Sequence, residues 1–307
     1  MNLDDTPHMT PSHYNKDGRN FLLSIIVPTV DRNNEFSRFI DTLLRQKADL
    51  SKIELIIVDQ NEDDRILEAL ESLHSISIIH LKIGRHGLSQ AKNAAIPKIN
   101  GLFCCYLDDD CWLDNNTLNV LLFQLQQLNS FEGLLMNIRT PDGKFLVPGK
   151  LRAGFILNEK NLLEAFYAPQ ISQVYPTFVV KDLKGFNMNL GIGTRFGSAE
   201  DTDLLIRAIK KKVTFKYFET IKIFHPKFES NSGAFNKKYQ YGLGLGALCR
   251  IHGFRFYFFI KLLRSAVGFL LFIAFDWKKS FLHFSTLLGR IKGYSESSYL
   301  FKIDKNA

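Results

Sequence analysis

An open, mostly parallel α/β sheet with helices on both faces is predicted by three observations. Apolar runs of strand length alternate four times with segments whose apolar residues fall at helical spacing, the connections are short, and each run stops on polar residues. Runs without internal alternation are buried on both faces, as in parallel sheets. The C-terminal ends of such strands form the rim where ligands bind.

Residues 22–27 (Leu-Leu-Ser-Ile-Ile-Val) are the first strand, closed by Pro28-Thr29 and followed by Asp31-Arg32. Phe36, Phe39, Ile40, Leu43 and Leu44 then mark one helical face. A second strand over 53–58 ends on Asp59, and Ile66, Leu70 and Leu73 stripe the next helix. A third strand over 76–81 leads into a glycine-containing loop, 84–87, and a helix with Leu88, Ala91, Ala95 and Ile99 on one side. The fourth strand is the opening of the stretch 102–112, Leu-Phe-Cys-Cys-Tyr-Leu-Asp-Asp-Asp-Cys-Trp, and Leu118, Leu121, Leu122, Leu125 and Leu128 follow at helical spacing.

That fourth run stops on three consecutive carboxylates. Crowded together they raise one another's pKa unless a cation lies among them, which points to a hard divalent metal. On an extended chain Asp108 and Asp110 face one side and Asp109 the other. A polar turn in which Asp110 or Asp114 caps the helix starting near Asn116 is the alternative reading. Neither G-x-G-x-x-G after the first strand nor G-x-x-x-x-G-K-[ST] anywhere is present, so a dinucleotide fold and a P-loop both lack support. A bound nucleotide would have to be held by carboxylates and a metal.

Farther on, 134–138 reads as a strand, 140–143 (Thr-Pro-Asp-Gly) as a turn, and 185–197 as a loop with four glycines that allow close approach to a substrate. Glu200-Asp201 opens a helix that buries Leu204, Leu205, Ala208 and Ile209. Acidic residues in a first turn compensate the helix dipole; a carboxylate there is also a candidate general base. Two strands, 213–218 and 221–224, run into His225-Pro226. Taken by itself, His225 reads as a structural histidine.

The 307 residues suffice for one large domain or a domain with an appendage, and an apolar and aromatic share of 46% is ample for a core. Cys104, Cys105, Cys111 and Cys249 have no zinc spacing and read as small core hydrophobes of a reducing compartment. The polar segment 1–20 lacks an apolar core of the secretory kind, so a loose tail and no signal peptide are expected there. Charge is uneven: residues 227–307 carry 13 Lys and Arg against 4 Asp and Glu, whereas residues 1–226 carry 26 against 27. Within the basic quarter, the apolar run 254–275 is interrupted by Arg255, Lys261 and Arg264, and its clean part, 265–275, is too short to span a bilayer. It reads either as a buried helical appendage or as an interfacial helix on an anionic membrane.

The segments Ser-Ile-Ile-Val-Pro-Thr-Val-Asp-Arg (24–32), Ile-Val-Asp (57–59), Gly-Leu-Ser-Gln-Ala-Lys-Asn (87–93), Tyr-Leu-Asp-Asp-Asp-Cys-Trp (106–112) and Gly-Ser-Ala-Glu-Asp-Thr-Asp (197–203) resemble, in order, the motifs of family 2 glycosyltransferases. The resemblance implies a GT-A fold and inverting, metal-dependent transfer of a sugar from a nucleotide-diphosphate donor, with a UDP-sugar favoured. It implies donor-binding roles for Pro28, Thr29, Asp31, Arg32, Asp59, Lys92, Asn93, Asp108, Asp109 and Trp112. Asp108, Asp110 and His225 would hold Mn²⁺ or Mg²⁺, Asp201 would be the general base, and Glu200 would orient the acceptor. Two motifs depart from the family: Lys92 stands where arginine is usual, which loses the planar fork for phosphate, and Asp59-Gln-Asn-Glu replaces the usual Asp-Asp-Gly-Ser. Gly-Arg-Ile-Lys-Gly-Tyr (289–294) resembles a tail element of relatives that act on membrane-linked acceptors.

The organisation expected is a tail over 1–20, a GT-A domain over 21–230 and a basic helical, membrane-interfacial region over 231–307. The function expected is sugar transfer to a hydroxyl of a saccharide or lipid-linked acceptor in bacterial surface-polysaccharide assembly, at the cytoplasmic face of the inner membrane and with no nucleic-acid partner. The rival readings are a sugar-phosphate nucleotidyltransferase, which usually carries a Gly- and Arg-rich loop after the first strand, and a non-catalytic sugar-nucleotide or membrane-binding module.

Overall fold

The structure, a computed structural model, describes residues 21–147, 151–227 and 233–303. The tail expected over 1–20 lies outside these residues. The described residues divide into two compact units, one made of residues 21–86, 90–147, 151–185 and 204–227, the other of residues 87–89, 186–203 and 233–303.

The first unit is built on the four apolar runs. β1 (Leu23–Thr29), β2 (Ile53–Asp59) and β4 (Phe103–Tyr106) are buried along their whole length, whereas β3 (Ser77–Lys82) is a half-exposed edge. Together they form the parallel run β3-β2-β1-β4, with β1 registered against β2 from Leu23↔Ile53 to Thr29↔Asp59. Because the pairing is in step, β1 and β2 end together and place Thr29 and Asp59 side by side at the rim. α1 (Asn34–Leu44) buries Phe36, Phe39, Ile40 and Leu43. α2 (Leu67–Glu71) is a single turn with Ile66 and Leu73 buried at its flanks. α3 (Leu88–Ala95) stops before Pro97, which opens a 3₁₀ turn, Ile96–Lys98, in place of the longer helix expected through Ile99.

Beyond β4 the sheet becomes mixed. β8 (Gln173–Pro176) pairs antiparallel with β4 and with β6 (Glu132–Arg139), and β9 (Thr214–Phe224) runs parallel to β6. Short β5 (Trp112–Leu113) and β7 (Ile156–Leu157) pair antiparallel with β9. β9 corrects the expectation of two strands: it is one strand whose register against β6 jumps from Met136↔Phe218 to Asn137↔Lys222. Asn137 Nδ2 donates to Glu219 O at 2.9 Å, supplying a partner inside that bulge. α4 (Thr117–Leu125) is not capped by Asp110 or Asp114; Gln46, just past the end of α1, accepts from Leu118 N at 3.0 Å and donates to Asp114 O at 2.7 Å. β8 and the following α5 (Thr177–Asp182) escaped the sequence reading because a fully buried Gln173 and a terminal Pro176 do not read as strand.

The second unit contains the glycine loop, the first turn of α6 (Glu200–Lys210), and α7 (Ala234–Ile251), α8 (Arg255–Phe272) and α9 (Trp277–Ile303). α7 and α9 touch through backbone. A Cβ added at Gly242 would lie 2.6 Å from Thr286 O, one at Gly246 would overlap Arg290 O, and Gly289 and Gly293 meet the Tyr239 and Leu243 carbonyls in return. The Gly-rich segment 241–246 and the Gly-x-x-x-Gly of 289–293 are thus two halves of one close helix contact.

Candidate functional site

The acidic triplet follows β4 as a tight turn, closed by Cys111 N donating to Asp108 O at 3.2 Å. The turn, not strand alternation, separates the carboxylates: Asp108 and Asp110 face His225, and Asp109 faces back to β1. Thr29 Oγ1 donates to Asp109 at 2.8 Å. Arg32 lies 4.0 Å from Asp109 and 3.5 Å from Asp110, and Arg38 donates to Asp110 O at 2.7 Å while its guanidinium sits 4.3 Å above the Trp112 ring. Arg38 is a site residue the sequence reading missed. It lies on the exposed side of α1, where a lone arginine carries no signal.

His225 arrives through sheet register. Trp112 pairs with Phe224 across β5 and β9, and their rings stack at 5.7 Å, so the residue after Phe224 meets the residues before Trp112. Its Nδ1 donates to Pro226 O at 2.7 Å, since a carbonyl only accepts, and this leaves Nε2 facing the carboxylates. Nε2 is 3.2 Å from Asp110 Oδ1 and 3.6 Å from Asp108 Oδ2, and ligand atoms of all three residues lie within 4.8 Å of one another.

Electrostatics couple the side chains of the cluster. Burial pushes the Asp109 carboxyl up to about 7, against the Thr29 hydroxyl and Arg32 that favour its charge. Burial also opposes ionisation of Asp110, but His225 and Arg32 hold it below the usual range. For His225 burial works against the charge, and the Asp108 and Asp110 carboxylates overcome it and carry the imidazole up to about 10. Asp110 Oδ1 is buried yet makes no aligned hydrogen bond, despite the nearby imidazole. Two carboxylates, one imidazole with its outer nitrogen already fixed, and an orphaned inner oxygen fit a divalent ion of the Mn²⁺ type.

The other expected donor residues divide. Asp59 is fully buried with its carboxylate engaged: Asn61 N and Nδ2 donate to Oδ1 at 2.9 and 2.7 Å, while His80 Nε2 lies 3.0 Å and Lys82 Nζ 3.7 Å from Oδ2. Asn61 also accepts from Asp31 N at 2.7 Å, so it bridges the two strand ends. Asp31 is exposed with φ 57° and forms ion pairs with Arg65 and Arg85. Pro28 is buried within β1 opposite Val58. Lys92 is 1% exposed, and its ammonium donates to Gln170. Asn93 is half-buried on α3, its amide beside Gly185.

Glu200 and Asp201 belong to the second unit. They follow Ala199, whose φ of 75° is costly for a residue with a Cβ. Asp201 Oδ1 accepts from Thr202 N at 2.6 Å, and Glu200 is buried beside Gly191. Asp203 faces elsewhere, 2.9 Å from His252 Nε2, and both side chains of that pair are buried.

The family model described as "Glycosyl transferase family 2" matches residues 24–152. Poly(ribitol-phosphate) beta-N-acetylglucosaminyltransferase TarS of Staphylococcus aureus is 21% identical over 164 residues, 52% of this chain and 28% of the relative. The chain thus spans little more than a quarter of that curated relative's length. Among solved structures, S. aureus TarS 1-349 in complex with UDP-GlcNAc matches with a TM-score of 0.52 and 17% identity, over 72% of this chain and 64% of that one. Mannosyltransferase PcManGT from Pyrobaculum calidifontis, in complex with GDP-Man and Mn²⁺, matches with a TM-score of 0.54 and 12% identity, over 99% of this chain and 79% of that one. These likenesses establish the GT-A fold.

Proposed function

We propose that this chain, which carries a family 2 glycosyltransferase domain over residues 24–152, transfers a sugar from a UDP-sugar to a hydroxyl of a cell-wall or surface polymer. The observation that carries the reading is the convergence of Asp108, Asp110 and His225 beside the strand ends that present Thr29 and Asp59. The UDP preference and the polymer acceptor draw support from the relative's activity and from UDP-GlcNAc in its complex.

Asp108, Asp110 and His225 would hold a divalent ion, which supplies neutralisation of the charge that grows on the departing diphosphate. Arg32 and Arg38 pin the acidic turn from outside, and His225 with Arg32 keeps Asp110 ionised. The buried Asp59–Asn61 pair stiffens the rim on the nucleoside side. Asp201 takes the proton of the acceptor hydroxyl as that oxygen attacks the anomeric carbon from the face opposite the leaving group, which inverts the configuration. Glu200 orients the acceptor.

The test is turnover of a donor panel, UDP-GlcNAc first and GDP-mannose as comparator, with Mn²⁺ and release of nucleoside diphosphate as the readout. Metal-dependent UDP release is expected. Release that ignores Mn²⁺, or binding of no nucleotide sugar at all, overturns the reading.

A further inference from the structure

We infer that α8 lies flat on an anionic lipid bilayer, presenting one defined face to the acyl chains and two arginines to the headgroups. At about 100° per residue, Phe256, Phe259, Ile260, Leu263, Val267 and Leu270 fall within an arc of about 100°. All six are open to solvent, from 44% for Val267 to 78% for Phe256. Arg255 and Arg264 are also exposed, and each falls about 40° outside one border of that arc. The opposite side of α8 is taken: Ser265 is buried and accepts from Arg290 Nη1 at 2.5 Å, and Gly268 abuts the His283 ring on α9. The apolar arc is therefore the outward face of a helix already packed on its other side.

The size of the face calls for an occupant. At roughly 200 Å² for a whole aromatic side chain, the Phe256 and Phe259 rings alone expose about 280 Å². The four aliphatic residues carry the patch past the few hundred Å² that soluble monomers leave open. It continues through Phe275, 89% exposed, and Trp277, 65% exposed, to Lys278 and Lys279.

Charge selects the occupant. α8 contains no Asp or Glu, its apolar arc is bracketed by arginines, and residues 227–307 carry 13 basic against 4 acidic side chains. An apolar stripe with arginines at both borders matches the boundary between acyl chains and anionic headgroups, where long basic side chains reach outward while the stripe is immersed. None of the described helices is long and apolar enough to cross a membrane, so the surface mode fits the element. The inference needs no assumption about sugar transfer.

The test is flotation of the full chain with vesicles of phosphatidylglycerol or of phosphatidylcholine, supported by quenching of tryptophan fluorescence with brominated phosphatidylglycerol, a signal that Trp277→Phe removes and Trp112 does not supply. The wild-type chain floats with phosphatidylglycerol at low salt, is partly released by high salt, and is quenched. A basic residue near such a surface is worth about fivefold in partitioning. Arg255→Gln with Arg264→Gln thus weakens binding to phosphatidylglycerol about 30-fold and leaves the weak binding to phosphatidylcholine unchanged. Phe256→Ser with Phe259→Ser abolishes flotation on both lipids at an unchanged melting temperature. A wild-type chain that stays with the dense fraction on phosphatidylglycerol overturns the inference. So does flotation indifferent to the double phenylalanine change, or a lipid-free oligomer in which Phe256 and Phe259 are shielded from radical footprinting, because a second copy then covers the face.

Discussion

Gly246→Ala reverses the ordinary sign of a glycine-to-alanine change in a helix. In an open helix the substitution stabilises by about 1 kcal/mol, because alanine has less backbone freedom to lose. In α7 the new methyl would overlap Arg290 O and lie 2.8 Å from Tyr294 N and 3.0 Å from Arg290 C. All three neighbours are α9 backbone, so no rotamer change relieves the overlap, and the helices must move apart. Overpacking of that kind costs about 1–3 kcal/mol, and the propensity gain of about 1 kcal/mol offsets part of it. A net destabilisation of up to about 2 kcal/mol is expected for Gly246→Ala, and more for Gly246→Val. Gly268→Ala serves as the comparison: its nearest neighbours are atoms of the His283 side chain, the closest at 2.6 Å, which can rotate, so a change near zero is expected. Urea unfolding followed by far-UV ellipticity measures both. A Gly246→Ala protein stabilised by about 1 kcal/mol would refute the backbone contact between α7 and α9.

Further outcomes concern the metal site, the general base and the cysteines. Asp110→Ala removes the orphaned oxygen and should abolish Mn²⁺-dependent donor binding measured by calorimetry while the melting profile survives. In the intact metal-free protein, His225 keeps its proton up to about 10, so Mn²⁺ must displace that proton; affinity should rise as pH increases from 7 towards 10, with proton release visible as a buffer-dependent binding enthalpy. Asp201→Asn should bind donor normally and lose about 10²- to 10⁴-fold in rate, the range for a positioned base, and wild-type turnover in that variant would move the role elsewhere. The four cysteines are buried, and burial pushes Cys104 and Cys249 up to about 12 and the other two well above their ordinary value. Their thiols should ignore a disulfide reagent at pH 8 and all four react in denaturant. Because the unfolded chain gives up those protons first, stability should fall as pH rises above about 8.5.

The sequence by itself determined the elements whose cause is local. β1, β2 and β4 are legible because an unbroken apolar run has one low-energy place, the middle of a sheet; α1 is legible because its four buried residues repeat at the helical period. The carboxylates of Asp108 and Asp110 were legible as a candidate cation site because three adjacent like charges need an explanation whatever the fold. Tertiary structure decided what depends on partners distant in the chain. β8 enters between β4 and β6 with a buried Gln173, whose amide donates to Ala168 O at 2.6 Å, and no local pattern marks such a strand. Lys92 lies in a motif whose resemblance implies donor binding, and only the fold brings Gln170, 78 residues away, to its ammonium. Asp59 carries a nucleoside-binding motif, yet Asn61 and His80 occupy its carboxylate. His225 becomes a ligand candidate only because Phe224 pairs with Trp112, which is a matter of register. The glycines of α7 and α9 acquire their meaning in the same way, since a missing side chain is informative only when the backbone that fills its place is known.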